Sequence, residues 1–237
     1  MWRGVKLLVL QIVFTTGLAA QSGGGFVPNT FENSVEVFDP NGRTFVNTSV
    51  DVAGSPFFSN DWRPGLILMN NDKAFRNTRL RLNLQDQEVH YLAPGNVEMS
   101  IPAGTVKEIV FFSDTSRNSQ VLADFQSGFP AIDEQNVNNF YQVLSRGTIL
   151  LLLSLQKTIA EEKDEFSGEI RRHFADHSNY YVYAGSNLVR VRMDRSFVQD
   201  LLADKKDQVT AFIKAYNFKF RSADDLKKVI DYYNTLP

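Results

Sequence analysis

The sequence predicts an α+β fold: one antiparallel, barrel-like or strongly curved sheet, with two or three C-terminal helices packed on it. Three observations carry this expectation. Between Gly65 and Phe112, short apolar runs are separated by turn signals at intervals of about 8–12 residues, the rhythm of an antiparallel meander, sandwich or barrel. Leu80, Leu82 and Leu84 alternate with Arg79, Arg81 and Asn83, the period of two of a strand with one wet face. From Ser196 onward the apolar spacing changes to the i, i+3, i+4, i+7 stripe of amphipathic helices.

Composition allows such a fold and narrows the chemistry. Of 237 residues, 43% are hydrophobic and 12% aromatic, enough to build a core and to exclude a disordered chain. The chain has no cysteine, which removes disulfides, thiolate metal sites and cysteine nucleophiles. With 25 basic against 27 acidic residues, there is no electrostatic case for a nucleic-acid partner.

Met1 to Gln21 reads as an export signal. Arg3 and Lys6 form a positive start, Leu7 to Phe14 an apolar stretch broken once at Gln11, and Gly17-Leu18-Ala19-Ala20 the small residues at a cleavage site. Cleavage after Ala19 or Ala20 is open, with Gly17 and Ala19 the better small-x-small pair. Thr15, Thr16 and Gln21 interrupt the run before the ~20 apolar residues a membrane span needs. Taking 1–20 as the signal leaves 217 residues and removes two cations and no acid, so the net charge moves from −2 to −4. In a bacterium, the absence of cysteine at the cleavage point rules out lipid attachment and leaves a soluble periplasmic or released product. The sequon Asn47-Thr48-Ser49 matters only in a eukaryotic secretory route.

Residues 21–55 are expected to be a flexible linker, with Ser22-Gly23-Gly24-Gly25 at its start and a possible hairpin. In that hairpin Ser34 to Phe38 turns through Asp39-Pro40-Asn41-Gly42 into Arg43 to Val52. The antiparallel domain is expected over 56–194. Its strands are Leu66–Met69, the Leu80 to Leu84 run, Glu88–Leu92, Val97–Ile101 and Lys107–Phe112, broken at Asn70-Asn71-Asp72, Pro94-Gly95 and Pro102-Ala103-Gly104. Thr115–Ser127 is polar and lacks periodicity, which predicts a long surface loop. Phe140–Leu144 turns at Ser145-Arg146-Gly147 into Thr148–Leu155, whose apolar Ile149–Leu153 predicts a central strand covered on both faces. Tyr180–Tyr183 and Leu188–Met193 make a further hairpin around Ala184-Gly185-Ser186-Asn187. Over 195–237, Ser196 with Gln199 predicts a capping box, and Asp204 a cap for the stripe Val209, Phe212, Ile213, Tyr216. Ser222 with Asp225 opens the stripe Leu226, Val229, Ile230, Tyr233.

Several stretches together have a familiar order. Gly54-Ser55-Pro56-Phe57-Phe58 precedes Trp62-Arg63-Pro64-Gly65, then come Arg79-Leu80-Arg81-Leu82-Asn83 and Phe140–Leu144 with Gly147. Asp204-Lys205-Lys206, Ala223-Asp224-Asp225-Leu226 and Tyr232-Tyr233-Asn234-Thr235-Leu236 close the chain. From about Gly54 to Leu236 this resembles uncharacterised exported proteins of Bacteroidetes-type bacteria. The resemblance implies export and a bacterial host, and it brings no catalytic or ligand-binding residue.

Chemistry-bearing patterns are sparse. His173 and His177 at i, i+4 would share a helix face with Glu169 one turn earlier. The residue after His173 is Phe174 where a zincin has its glutamate base, so these histidines are read as solvated on a polar turn beside Arg171 and Arg172. There is no Gly-x-Ser-x-Gly elbow for His90, His173 or His177 to serve, and no glycine-rich phosphate loop. Glu161-Glu162-Lys163-Asp164-Glu165 reads as a solvated face. Arg76, Arg79 and Arg81 would form an anion-binding patch with Arg190 and Arg192 if their strands were neighbours; otherwise they pair across the sheet with glutamates such as Glu88. The aromatic groups Phe57-Phe58-Trp62 and Tyr180-Tyr181-Tyr183 are read as packing residues able to stack on sugars.

No catalytic, cofactor-binding or metal-binding residue is therefore assigned, and no cofactor is expected. The sequence predicts an exported, non-catalytic binding or structural module of the cell envelope, its partner an unidentified envelope component or protein, with no membrane span after signal cleavage. The alternative is a hydrolase whose site is assembled from distant residues.

Overall fold

The computed structural model describes residues 37–38, 44–45, 52–166 and 168–237. The chain divides into two compact units, Met1–Ser49 and Val50–Pro237. In the first, β1 (Val37–Phe38) pairs antiparallel with β2 (Thr44–Phe45), Val37 opposite Phe45. The segment 1–20 expected to direct export, the expected linker and turn, and the Asn47 sequon lie outside the described residues.

The second unit holds an 11-stranded sheet. Its strands are β3 (Val52–Ala53), β4 (Arg63–Met69), β5 (Ala74–Asn83), β6 (Glu88–Ala93), β7 (Val97–Ile101) and β8 (Val106–Phe112), then β9 (Val121–Gln126), β10 (Tyr141–Ser145), β11 (Ile149–Lys163), β12 (Ile170–Ala184) and β13 (Asn187–Arg190). Helices α1 (Arg195–Leu201), α2 (Lys206–Ala215) and α3 (Ala223–Thr235) follow. The strand order is β13-β12-β11-β10-β9-β8-β4-β5-β6-β7, antiparallel throughout, and β3 adds in parallel to β12 at Arg172 and His173. The predicted α+β class holds, and the sheet is open. Among the described residues no helix is long and apolar enough to cross a membrane.

The sheet curves because four of its pairings carry register shifts, at Gly65/Leu66, Leu68/Met69, Phe111/Phe112 and Val143/Ser145, and bulges bend and twist a sheet. The curl brings the β5–β6 turn back onto the middle strands, where the Lys157 amide donates to the Leu84 carbonyl at 3.2 Å. Gly65 makes tight packing possible inside the bend. A Cβ there would lie 2.5 Å from Leu80 Cδ1 and 2.7 Å from the Val110 carbonyl oxygen, so any side chain must displace backbone.

Apolar packing falls on both faces. Ile67, Leu80, Leu82, Val89, Ile109, Phe111 and Phe125 fill the concave side. Leu151 and Val182 face the helices, meeting Val198, Ile213, Leu226 and Ile230. Leu152 points the other way, into Phe129, Tyr141 and Tyr181. The Ile149–Leu153 run is thus a central strand covered on both faces, as its composition predicts.

Several expectations need correction. Residues 115–127 are not all loop, since β9 lies between β8 and β10 with Ala123 and Phe125 buried. Its outward-facing Asp124, the one charge of the strand, is matched by Arg146 on the β10–β11 turn. The strand predicted to end at Leu155 runs on to Lys163 and pairs in register with all 15 residues of β12. Ser196 does not cap α1; Asp194 does, its carboxylate accepting from the Phe197 amide at 2.9 Å. Gln199 instead donates to Thr210 on α2 at 2.8 Å. Asp204 does not cap α2 but accepts from the Tyr233 hydroxyl at 2.8 Å. Ser222 caps α3, and that helix buries all of Leu226, Val229, Ile230 and Tyr233. On α2, Val209 and Ile213 are buried, while Tyr216, just past the helix end at Ala215, is 66% exposed.

Candidate functional site

At the open end of the concave side, β4, β5, β6 and β7 enclose a cavity of about 350 Å³ lined by Ile67, Met69, Phe75, Thr78, Tyr91, Ser100, Ile101 and Pro102. Its shape depends on one residue. Leu82, Leu80 and Thr78 follow the strict alternation of β5 on the concave face, and the next residue inward would be Arg76. Asn77 interrupts the count. Thr78 pairs with Gly65 and Arg76 with Leu66, so Asn77 is the extra residue of a bulge, and its φ of 55° is left-handed, a conformation asparagine tolerates better than most residues. The bulge reverses facing, so Phe75 pairs with Ile67 across the cavity wall and Arg76 turns outward. An arginine is thereby exchanged for a phenylalanine at the mouth.

Behind this wall, on the opposite face of β5–β7, a polar clasp holds the edge strand. Arg81 Nη2 donates to both carboxylate oxygens of Glu98 on β7 at 2.8 Å, and His90 Nδ1 lies 2.7 Å from Glu98 Oε1. The guanidinium is sandwiched between Phe57, 3.9 Å from the ring centroid, and Trp62, 4.1 Å, and Phe57 also meets His90 edge-on. Burial works against the Glu98 charge, but the hydrogen bonds from His90 and Arg81 outweigh it and hold the carboxyl below the usual range. Phe57 and Phe58 serve opposite faces, for Phe58 packs against Phe111 and Phe125. The carboxylate that pairs Arg81 is Glu98, not the expected Glu88. Glu88 sits opposite Asn83 in the register while His90 sits opposite Arg81, and the diagonal from there reaches β7.

The other sequence-predicted residues do not converge. Six strands separate β5 from β13, so Arg76, Arg79 and Arg81 form no patch with Arg190. Arg79 donates to Asn96, and Arg190 to Asn179. His173 and His177 lie on a strand rather than a helix or a polar turn. Four residues of strand place them about 13 Å apart, and His177 Nε2 contacts Thr158 Oγ1 at 2.8 Å. Among the described residues no cluster of three or more histidine or acidic side chains could hold a metal ion. Glu161 pairs with Arg172 across the hairpin.

Two features had no sequence forecast. On the outer face, Arg146 bridges Glu108, at 2.9 Å, and Asp124. Burial raises the Asp124 carboxyl, Arg146 opposes that shift, and the neighbouring Glu108 adds to it, so Asp124 stays above the usual carboxylate range. On the helices, Phe212 stacks on Tyr232 with centroids 3.9 Å apart, beside an open groove that Tyr216, Phe218 and Lys228 also line.

The tyrosines yield a measurable consequence. Burial, then the hydrogen bond to Asp133, pushes Tyr181 up to about 12. Burial, then Asp204, pushes Tyr233 up to about 12. Tyr141 is raised by burial and then by Tyr181 and Asp133. A phenol raised on folding favours the native state fully below its unfolded value near 10, and that contribution disappears as the pH climbs through 12. Three of the eight tyrosines should therefore ionise above the ordinary phenol range, giving a late second rise in phenolate absorbance. A single titration step with near-ultraviolet dichroism intact would contradict the burial of these rings.

The chain matches no protein-family model, no curated protein and no solved structure.

Proposed function

We propose that the protein is an exported, non-catalytic binding module of the cell envelope whose ligand occupies the apolar cavity at the open end of the curved sheet. Export rests on the Met1–Gln21 pattern, with the product free in the periplasm or outside the cell. The binding reading rests on the cavity. Its volume of about 350 Å³ falls within the roughly 300–1,000 Å³ of small-molecule sites, and six apolar or aromatic residues with two hydroxyl residues suit a concave apolar seat.

The test is titration with an uncharged, environment-sensitive apolar dye, comparing wild type with Phe75→Asp. Phe75 is 50% exposed, so the substitution leaves the core intact while placing a charge at the mouth. Dye affinity should fall by about tenfold or more, from lost apolar area and a desolvated carboxylate, with the melting temperature nearly unchanged. Absence of dye binding to wild type, or equal binding by both proteins, would defeat the reading. One observation favours the hydrolase alternative, the raised Asp124 carboxyl beside Glu108. Arg146 engages both groups, which suits a strand-to-strand clamp better than an acid–base pair.

A further inference from the structure

The cavity does not end at Ile101. Ile101 stands opposite Val89, Met99 opposite Tyr91 and Val97 opposite Ala93, and directly opposed residues share a face of the sheet. Val89 is buried on the concave side, so Ile101, Met99 and Val97 form one row on that side of β7. Ile101 lines the cavity, while Met99 is 44% and Val97 55% exposed. The row extends about 13 Å along the edge strand. Cavity and row together make an elongated apolar track along the edge strand.

The lining chemistry also limits what can enter the cavity. None of the eight lining residues is charged. The nearby ionic groups Arg81, His90 and Glu98 lie on the opposite face, where the first two pair with the third. The bulge at Asn77 strengthens this limit, since it is what turns Arg76 away from the cavity and Phe75 into it. Bulges re-aim side chains beside binding sites, and this one removes a cation from the mouth.

We infer that the ligand, on the binding reading above, is a single-chain aliphatic amphiphile, taken up as a free monomer. Its chain end fills the cavity, and the rest of the chain lies along Ile101, Met99 and Val97. A compact aromatic ligand would leave that row bare, and a charged group inside the cavity would be desolvated with no partner in the lining.

Calorimetric titration with alkyl glucosides from hexyl to nonyl, each below its micelle concentration, tests this. Affinity should rise about fourfold per methylene, the worth of one buried methylene. A Val97→Ser/Met99→Ser double variant should bind the hexyl compound as wild type does and lose the gain from the longer chains. Both positions are exposed, so this variant should keep its melting temperature. If the apolar dye binds and no glucoside displaces it, or affinity is independent of chain length, the ligand class is wrong while the cavity remains a binding site. If neither dye nor glucoside binds, both readings fall. Flotation with phosphatidylcholine vesicles without binding of monomers would overturn uptake of a free ligand. Binding that weakens as protein concentration rises would mean that a second copy of the chain covers the track, and would overturn it too.

Discussion

Gln87→Ala is expected to lower the stability of the Val50–Pro237 unit by about 3 kcal/mol, from the net worth of three hydrogen bonds and the cost of leaving their buried partners unpaired. Gln87 sits in the β5–β6 turn and is itself buried. Its Nε2 donates to the carbonyls of Leu84, at 2.9 Å, and Leu155, at 3.2 Å, and its Oε1 accepts from the Phe140 amide at 3.0 Å. One side chain thus joins the turn to β11 and to the residue preceding β10, and it fastens the curl that shapes the concave side. Truncation leaves the Phe140 amide without this partner beside a side chain only 4% exposed. For a unit of this size the loss should lower the melting temperature by roughly 6–12 °C, and urea unfolding should report the same change in free energy. The backbone at Gln87 has a φ of 57°, so Gln87→Gly loses the same bonds but relieves about 1 kcal/mol of left-handed strain. It should therefore be the milder variant. A loss below about 1 kcal/mol in Gln87→Ala would show that the curl does not depend on this staple.

Gly147→Ala should cost about 2–3 kcal/mol, for a different physical reason. Gly147 lies in the β10–β11 turn, against the end of α3. A Cβ there would fall 2.3 Å from Asn234 Cγ and 2.7 Å from its Nδ2. The Asn234 amide has little freedom to yield. Its Oδ1 accepts from the Ile149 amide at 3.0 Å, and its Nδ2 donates to the Ile149 carbonyl at 3.0 Å and to Ser145 Oγ at 3.3 Å. A side chain here imitates a neighbouring strand, satisfying both backbone groups of a buried residue and tying the last helix to the sheet. Any substituent at 147 must break that arrangement. A double-mutant cycle separates the clash from other effects, because Gly147→Ala in an Asn234→Gly background has nothing left to collide with. Coupling of about 1 kcal/mol or more is expected. Strict additivity would mean that the turn tolerates a side chain by moving elsewhere.

Asn234 also marks the limit of what was legible in the chain. The α3 stripe and its Ser222 cap are local patterns, and both appear as the residues predict. That residue 234 would act as a surrogate strand for residue 149 depends on a separation of 85 positions, about which local periodicity is silent. The misplaced caps have the same origin. Asp194 and Ser196 are both good capping types, and which one meets an amide is settled by where the preceding chain leaves β13. The strand Val121–Gln126 is short and follows the polar run Thr115–Gln120, and its one charge, Asp124, finds its partner Arg146 only through the fold. The cavity left one faint trace in the sequence. Phe75 is out of step with Thr78, Leu80 and Leu82, a break in parity that signals a bulge at Asn77 or beside it.

The sequence by itself determined the α+β class, most of the strands and helices, and the doubly covered character of Ile149–Leu153. These follow from side-chain alternation and helical stripes, which depend on neighbours a few residues apart. Only the tertiary structure decided the strand order, the full length of the β11–β12 hairpin, the separation of the arginines and the opening of a cavity between β4 and β7. Those depend on pairing register and on contacts between residues far apart in the chain. A one-residue shift in register exchanges the faces of a strand, and at Asn77 that exchange puts a phenylalanine where an arginine would otherwise stand.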